Sequence, residues 1–267
     1  MSAHIPPDDR PPEPALNIAE IQECLITLQL GHPLLYYASI DSTNTRAAEL
    51  AREGAAEGTL IVTDYQTSGR GRVGRPWRTF PGKMLAFSLV LRPNFPAQFL
   101  VMASAVAVHT AVLTLGQLPV TIKWPNDILV AGRKVCGILI ESSGDYVVLG
   151  IGLNVNGSFA QHPELAQQAT TLEQAMGMPV RREAVLCAVL TSLDRIYGTL
   201  RSDDQAARKA LWQQWRERLT TIGRAVDIVQ GERHIRGLAV DVDDDGALLV
   251  RLENGTQHAV TWGDVSL

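Results

Sequence analysis

Apolar residues along the chain follow helical and strand-like spacings in alternation over most of its length. The helical spacing predicts helices over residues 18–30, 44–53 and 99–115, along a stripe from 186 to 200, and after Ser202. Runs rich in β-branched residues predict strands over residues 34–40, 59–65, 84–91, 120–124, 134–141 and 146–154. Interleaved strands and helices of this kind predict a mixed α/β domain over residues 35–220.

The pattern changes near Gly223, where short alternating segments replace the longer runs. Asp245-Gly246 and Asn254-Gly255 interrupt these segments, and both pairs are typical of tight β-hairpin turns. Short strands with such turns predict a small β-barrel. We therefore expect a second domain over residues 221–267, and a proline-rich tail with a short helix over residues 1–34.

The segment 99–115 is almost wholly apolar, yet it is shorter than the roughly 20 residues that a membrane-spanning helix needs. We interpret it as a buried core helix in which His109 is a satisfied core residue. The first 14 residues include five prolines and carry charges where a signal peptide needs an apolar core. These features favour a cytoplasmic protein. Ser202 and Gln205 have the spacing of a helix capping box.

Hydrophobic residues make up 46% of the chain and charged residues 19%, which provides material for a folded core and excludes intrinsic disorder. The net charge of −4 opposes a whole-surface attraction to nucleic acid or to an anionic membrane. Three cysteines, at positions 24, 136 and 187, are odd in number and far apart. They favour reduced thiols over a disulfide scaffold, and neither they nor the histidines have metal-ligand spacing.

The most distinctive segment is a loop of glycines and arginines over residues 69–78, hereafter the Arg/Gly loop. It contains a G-x-G-x-x-G pattern, but Pro76 and Pro81 prevent the helix that a dinucleotide-binding loop opens into. Four arginines repel one another unless an anion lies among them, and guanidinium groups suit carboxylate and phosphate. The loop is therefore predicted to bind a carboxylated or phosphorylated ligand, with Trp77 covering it. A solvated basic loop is the alternative.

Three further motifs have two interpretations each when they are taken alone. Residues 123–127, Lys-Trp-Pro-Asn-Asp, form a turn at a strand end, from which Lys123 either faces solvent or reaches into a cleft. Gly150 and Gly152 end a strand and leave room for a flat ligand on the sheet. Residues 42–44, Ser-Thr-Asn, are more typical of a helix cap than of a binding site.

Taken in order along the chain, these motifs resemble those of the biotin–protein ligases. The matching segments are residues 42–44, 66–77, 123–127, 137–141 and 150–154, together with the closing 263–267. The resemblance runs from about Tyr36 to the C-terminus. It implies an α+β fold akin to class II aminoacyl-tRNA synthetases, with a mixed sheet, flanking helices and a small SH3-like barrel at the C-terminus.

The resemblance also implies a reaction in two steps. The carboxylate of biotin attacks the α-phosphate of MgATP, which gives biotinyl-5′-AMP and pyrophosphate. A lysine of a carrier domain, the biotin carboxyl carrier protein of acetyl-CoA carboxylase, then takes the biotinyl group. ATP with Mg²⁺ acts as co-substrate, biotin as substrate, and no tightly bound cofactor is expected.

Residue by residue, the resemblance implies the following roles. Lys123 and Arg72 are the expected catalytic residues. The expected biotin-binding residues are Ser42, Thr43, Asn44, Gln66, Gly69, Arg70, Gly71, Arg72, Lys123, Gly137 and Gly152. The expected nucleotide-binding residues are Arg70, Arg72, Arg75, Trp77, Lys123, Asn126 and Asn154. No metal ligands are predicted in the protein itself.

Two alternatives and one departure accompany this interpretation. A lipoate–protein ligase shares the chemistry, but lipoate lacks the ureido group that the polar residues 42–44 and Gln66 suit. A non-catalytic nucleotide- or RNA-binding module fits the basic loop but not the net charge. Bifunctional family members carry an N-terminal DNA-binding domain, which about 35 residues here do not accommodate. We therefore expect no binding to nucleic acid or membrane, and either a monomer or a homodimer.

Overall fold

The computed structural model describes residues 14–202 and 204–267. In this part of the chain, seven strands form a main sheet in the order β1-β2-β3-β7-β6-β5-β4. The strands are β1 Leu34–Tyr37, β2 Leu60–Thr63, β3 Leu85–Leu91, β4 Val120–Lys123, β5 Asp127–Val130, β6 Arg133–Ser143 and β7 Tyr146–Leu153. β1 and β2 are parallel, and the remaining neighbours are antiparallel. The proline-rich residues 1–13 lie outside the described residues.

Helices cover the two faces of this sheet unequally. The helices are α1 Ile18–Cys24, α2 Thr43–Arg52, α3 Gln98–Gly116, α4 Pro163–Ala166, α5 Leu172–Met176, α6 Arg182–Arg201 and α7 Gln205–Glu217. α3 packs on β4, β5 and β6 and also contacts α6 and α7, whereas α2 packs on β2, β3 and β7. On the α2 side the buried cluster is small, so the faces of β6 and β7 beyond α2 are left uncovered by helices.

The apolar helix α3 is long and apolar enough by length and composition to cross a membrane. Most of it is nevertheless buried within the protein, against the sheet and the helices α6 and α7. The prediction of a buried core helix is therefore confirmed. His109 lies in this core, where its ring forms a hydrogen bond with the Val120 backbone. Its Nδ1 has no hydrogen-bond partner among the described residues, so the expectation of a satisfied histidine holds only in part.

The C-terminal segment forms a second sheet within the described residues. Its strands are β8 Ala225–Gln230, β9 Arg233–Val242, β10 Leu248–Arg251, β11 Gln257–Val260 and β12 Asp264–Ser266, in the order β11-β10-β9-β8-β12. The pairs Asp245-Gly246 and Asn254-Gly255 lie in the turns before β10 and β11, as the sequence predicts, and both glycines have positive φ. The mixed sheet, flanking helices and antiparallel C-terminal sheet confirm the expected fold class.

The C-terminal sheet docks on the body through the turn before β10. Trp124 donates its indole N–H to the Gly246 carbonyl at 2.9 Å, and Trp212 donates to the Asp243 carbonyl at 2.8 Å. Arg216 of α7 forms two hydrogen bonds to the carboxylate of Asp241, at 2.6 and 2.8 Å. These contacts hold the second sheet against the end of β4, where the Lys-Trp-Pro-Asn-Asp turn begins.

Several local predictions are wrong. The first helix ends at Cys24 rather than residue 30, because the Asp194 carboxylate accepts the backbone N–H groups of residues 28, 29 and 30 at 2.8–2.9 Å. Ser202 ends α6 instead of capping α7, whose cap is the Asp204 side chain. The sequence pattern predicts no strand between residues 124 and 134, whereas β5 lies there. The expectation of reduced thiols is wrong for Cys24 and Cys187, which are joined in a disulfide that links α1 to α6.

The buried ion pair between Asp64 and Arg182 links the start of the described chain to the sheet. Arg182 donates to Asp64 at 2.7 Å and to the Met84 carbonyl at 3.1 Å, while Asp64 also accepts from the Leu16 N–H and the Tyr36 hydroxyl. Both side chains are at most 3% exposed. Removing one partner of such a pair leaves the other charge buried and uncompensated.

We expect Arg182→Met to lower the free energy of unfolding by about 3–5 kcal/mol, because Asp64 would then lack its buried counter-charge. The neighbouring Arg181 pairs with Glu20 at the surface and is 67% exposed, so Arg181→Met is the matched control. The control should cost less than about 1 kcal/mol. Urea unfolding followed by circular dichroism measures both, and equal losses in the two variants would contradict the assignment.

Candidate active site

A cleft of about 940 Å³ lies over the part of the sheet that α2 leaves uncovered. Its walls come from the N-terminus of α2, the Arg/Gly loop, the turn between β4 and β5, strands β6 and β7, and the C-terminal sheet. The cleft brings together Ser42, Thr43, Asn44, Gln66, Arg70, Gly71, Arg72, Arg75, Trp77, Lys123, Asn126, Gly137 and Gly152. Segments as far apart in sequence as residues 42 and 267 thus meet in one place.

Two of the predicted site residues, Gly69 and Asn154, are not part of the cleft lining in the described structure. Asn154 is buried behind β6, where its side-chain amide donates to the Lys134 carbonyl at 3.3 Å. Gly69 lies at the base of the Arg/Gly loop, and its carbonyl accepts the Trp77 N–H at 2.8 Å. Both residues therefore support the walls of the cleft from outside it.

One end of the cleft is a neutral polar network at the start of α2. Gln66 Oε1 accepts the backbone N–H of Thr43 at 2.8 Å, and the Thr43 hydroxyl lies 3.1 Å from the same atom. Asn44 donates from Nδ2 to Glu141 at 2.7 Å. Ser42 occupies the N-cap position of α2, but its side chain makes no capping hydrogen bond within the described structure. The helix-cap interpretation thus holds for the position of Ser42 and not for its hydroxyl.

The glycines of β6 and β7 allow two side chains to lie directly on the sheet. A β-carbon at Gly150 would lie 2.0 Å from Asn44 Oδ1, and one at Gly152 would lie 2.5 Å from the Trp77 ring. A β-carbon at Gly137, which pairs with Gly152, would also meet this ring at 3.0 Å. The indole N–H of Trp77 is buried without a partner among the described residues. Trp77 thus covers the sheet with a donor still available.

The other end of the cleft is cationic, and most of its charges have oxygen partners. The Arg/Gly loop folds back on itself through the Gly71 N–H and the Arg75 carbonyl, which are 2.7 Å apart. Arg70 reaches Glu141 at 3.3 Å, Arg72 donates to Asn126 Oδ1 at 2.9 Å, and Arg75 pairs with Asp264 at 2.7 Å. These three arginines of the loop therefore have partners on different elements.

Burial lowers the pKa values of two cations in the cleft, Lys123 and Arg72. Burial lowers the pKa of Lys123 below its ordinary value, and the nearby charges of Lys134 and Arg75 lower it further, against the opposing effects of Asp127 and Asp264. The pKa of Arg72 is also lowered, again mainly by burial. An incoming anion would therefore meet positive charge that water screens only weakly.

Sequence analysis missed Lys134, which lies in the cleft beside Lys123. Its Nζ is 2.6 Å from Asp127 Oδ1 and 5.5 Å from the centroid of the Trp77 ring. In the sequence it is a single lysine at the start of an apolar strand, three residues before Gly137. Its importance follows from the pairing of β5 with β6, which places it opposite Leu129 and close to Asp127.

Two segments of the chain match families of known proteins. Residues 36–156 match the biotin/lipoate A/B protein ligase family, and residues 221–267 match the biotin protein ligase C-terminal domain. The chain is 36% identical to the bifunctional ligase/repressor BirA of Bacillus subtilis, over 90% of this chain and 76% of that protein. It is 32% identical to the biotin–[acetyl-CoA-carboxylase] ligase of Mycobacterium tuberculosis, over 94% of this chain and 96% of the other. The chain belongs to the biotin protein ligase family.

Solved structures of the family agree with this assignment. The biotin protein ligase of Aquifex aeolicus in complex with biotin and ATP superposes with a TM-score of 0.76 at 30% identity, over 88% of this chain and 98% of that one. The resemblance stated from the sequence motifs is therefore confirmed. The match to the biotin protein ligase C-terminal domain favours a biotin ligase over the lipoate ligase and the non-catalytic module.

No separate DNA-binding domain appears in the described chain of this family member. Before β1, residues 14–33 contain a single helix of seven residues. The BirA relative, named as both ligase and repressor, is longer than the region that matches this chain.

We expect Gly150→Ala to lower the free energy of unfolding by about 1–3 kcal/mol, because the added methyl group would displace the Asn44 amide from β7. Gly198→Ala is the matched control, since its β-carbon would meet only an ordinary contact at 3.8 Å within α6. The control should be neutral or stabilising, because alanine favours a helix interior. Thermal and urea unfolding measure both variants, and a neutral Gly150→Ala would contradict the close approach of Asn44.

Proposed function

We propose that the protein joins biotin to a lysine of a carrier protein in two steps that consume MgATP. The observation that carries this proposal is the single cleft with a neutral amide-and-hydroxyl end and a cationic end. Biotin has a ureido ring at one end and a carboxylate at the other, so the two ends of the cleft match its two ends. Membership of the biotin protein ligase family supports the same activity.

The ureido ring would lie at the start of α2. Thr43, Asn44 and Gln66 are buried and offer hydroxyl and amide groups within one network. The ring contains a carbonyl oxygen that accepts and two N–H groups that donate, so it can satisfy polar groups that water does not reach there. Lipoate has no such group and would leave these buried groups unpaired, which strongly disfavours it.

The first step brings two anions together, because the carboxylate of biotin must approach the α-phosphate of ATP. Arg72 and Lys123 lie where these anions would converge, and Lys134 adds a third cation that the sequence did not predict. Positive groups held in place before reaction stabilise the charge of the transition state without reorganising. The biotin oxygen then forms a bond to phosphorus, and pyrophosphate leaves with the electrons of the broken bond.

The nucleotide would lie between the Arg/Gly loop and the turn after β4. Arg75 and Asn126 both reach this part of the cleft, and the Trp77 ring offers an apolar face with an N–H that has no partner in the described part of the chain. Val73 at the tip of the loop is 64% exposed, so the loop extends into solvent and can close over ligands. Closure would protect the acyl-adenylate from water until the acceptor lysine arrives.

In the second step the amine of the acceptor lysine attacks the biotinyl carbonyl and displaces AMP. The acceptor in this proposal is the biotin carboxyl carrier domain of a carboxylase, supported by the names of two relatives that are biotin–[acetyl-CoA-carboxylase] ligases. The proposal also places the protein in the cytoplasm, as either a monomer or a homodimer. Light scattering on the purified protein would determine the number of subunits.

The decisive test measures pyrophosphate release from MgATP with biotin, with lipoate and with no acid. We expect release with biotin alone, and a loss of about 100- to 1,000-fold in kcat for Lys123→Ala, Lys134→Ala and Arg72→Ala. Arg224→Ala, at the exposed outer rim of the cleft, is the control and should keep near-normal rates. Pyrophosphate release with lipoate but not with biotin would reject biotin as the substrate. No release with either acid would reject the ligase activity.

The pH dependence of kcat/KM for biotin should reveal the loss of positive charge from Lys123. Because burial lowers its pKa, its positive charge is present at low pH and is lost as pH rises, earlier than for an ordinary lysine. We expect kcat/KM for biotin to fall on the alkaline side with an apparent pKa below that of ordinary lysine. Lys123→Arg keeps its charge and should shift this fall to higher pH. An unchanged alkaline limb in Lys123→Arg would assign the titration to another group.

A further inference from the structure

Ser88 is a fully buried polar residue in the otherwise apolar strand β3. A buried hydroxyl without a hydrogen-bond partner costs free energy, so its partners define its role. Ser88 pairs in register with Gly150 of β7, the glycine whose missing β-carbon makes room for Asn44. Ser88 and Gly150 therefore form the floor beneath the first turn of α2.

The contacts of Ser88 determine where its hydrogen goes. Ser88 Oγ lies 2.6 Å from Asn44 Oδ1 and 2.8 Å from Thr43 Oγ1. A serine hydroxyl has one hydrogen, and an amide oxygen can only accept. Ser88 therefore donates to Asn44 Oδ1. The single hydrogen of the Thr43 hydroxyl has two acceptors within reach, Ser88 Oγ at 2.8 Å and Gln66 Oε1 at 3.1 Å. Neither contact is possible without a hydroxyl at position 88.

The hydrogen-bond partners of Asn44 and Gln66 determine which way their amides point. With Asn44 Oδ1 on Ser88, Nδ2 of Asn44 donates one hydrogen to Glu141 and keeps a second. Gln66 Oε1 accepts the Thr43 N–H, so its Nε2 is also left as a donor. Both residues line the cleft. The network thus holds N–H donors at the end of the cleft where a carbonyl oxygen would bind.

We propose that Ser88 is a positioning residue for biotin, which acts through Thr43 and Asn44 to orient the groups that receive the ureido ring. The inference rests on the proposed function, because it takes biotin as the ligand. Ser88 is not among the described residues that line the cleft, so it acts through its neighbours rather than by touching biotin. Its effect is therefore on the binding of biotin and not on the nucleotide.

The test is the steady-state kinetics of Ser88→Ala in the full-length protein. We expect KM for biotin to rise about 10- to 100-fold, because Asn44 Oδ1 loses the hydrogen-bond donor that holds its amide in place. KM for ATP and kcat should stay within about threefold of the parent protein, since the cationic end is unchanged. Ser88→Thr keeps the hydroxyl and should restore most of the affinity for biotin.

Ser104→Ala is the matched control for the loss of a buried hydroxyl. Ser104 is fully buried in α3, where its hydroxyl donates to the Leu100 carbonyl at 2.6 Å, away from the cleft. This variant should leave KM for biotin unchanged. If Ser88→Ala does not fold, as judged by circular dichroism, Ser88→Cys retains a weak donor and should give an intermediate KM.

A double-mutant cycle separates a positioning role from general weakening of the fold. If Ser88 acts through Asn44, Ser88→Ala should change KM for biotin little in an Asn44→Ala background. Additive effects, or an unchanged KM in Ser88→Ala, would overturn the inference. Equal changes in KM for biotin and for ATP would also overturn it. If the parent protein shows no biotin-dependent release of pyrophosphate, it is the proposed function that fails.

Discussion

Positive charge gathered in a partly buried cleft is the constraint on which the site depends. Cations that approach one another away from water repel unless oxygens lie between them. The oxygens here come from separate elements: Glu141 from β6, Asp127 from β5 and Asp264 from the C-terminal sheet. The conformation of the Arg/Gly loop is therefore set by the body and by the C-terminal sheet together. An anionic ligand can replace these partners without leaving any cation uncompensated.

The long elements could be predicted from the sequence, because their apolar residues either repeat with a period or form a long apolar run. α3 and α6 and the strands β3, β6 and β7 are of this kind. Two short elements, β5 and α4, were not predicted, since their four residues contain no pattern that marks a strand or a helix. The end of α1 was misplaced for a different reason. Asp194, far away in sequence, competes for the backbone N–H groups that a longer helix would have used.

The motifs of the site were visible in the sequence because they combine unusual residues in short segments. Thirteen of the residues expected there do meet in the cleft. Ser88 was missed because it is a single polar residue in an apolar strand, and Lys134 because it stands beside Arg133 at the start of a strand with no motif around it. Their place depends on register, since Ser88 lies opposite Gly150 and the pairing of β5 with β6 brings Lys134 to Asp127. The disulfide was missed for the same reason, because only the packing of α1 on α6 brings its two cysteines together.

The contribution of the C-terminal sheet to the cleft has a practical consequence for handling the protein. Residues 263–267 line the cleft, and the Gly263 carbonyl accepts a hydrogen bond from Arg72. An affinity tag or a fluorescent fusion attached after Leu267 would therefore start at the rim of the substrate entrance. It would compete with ligands for the space at the entrance of the cleft. The last residues of the sequence thus belong to the working surface of the enzyme, and labels are better placed elsewhere.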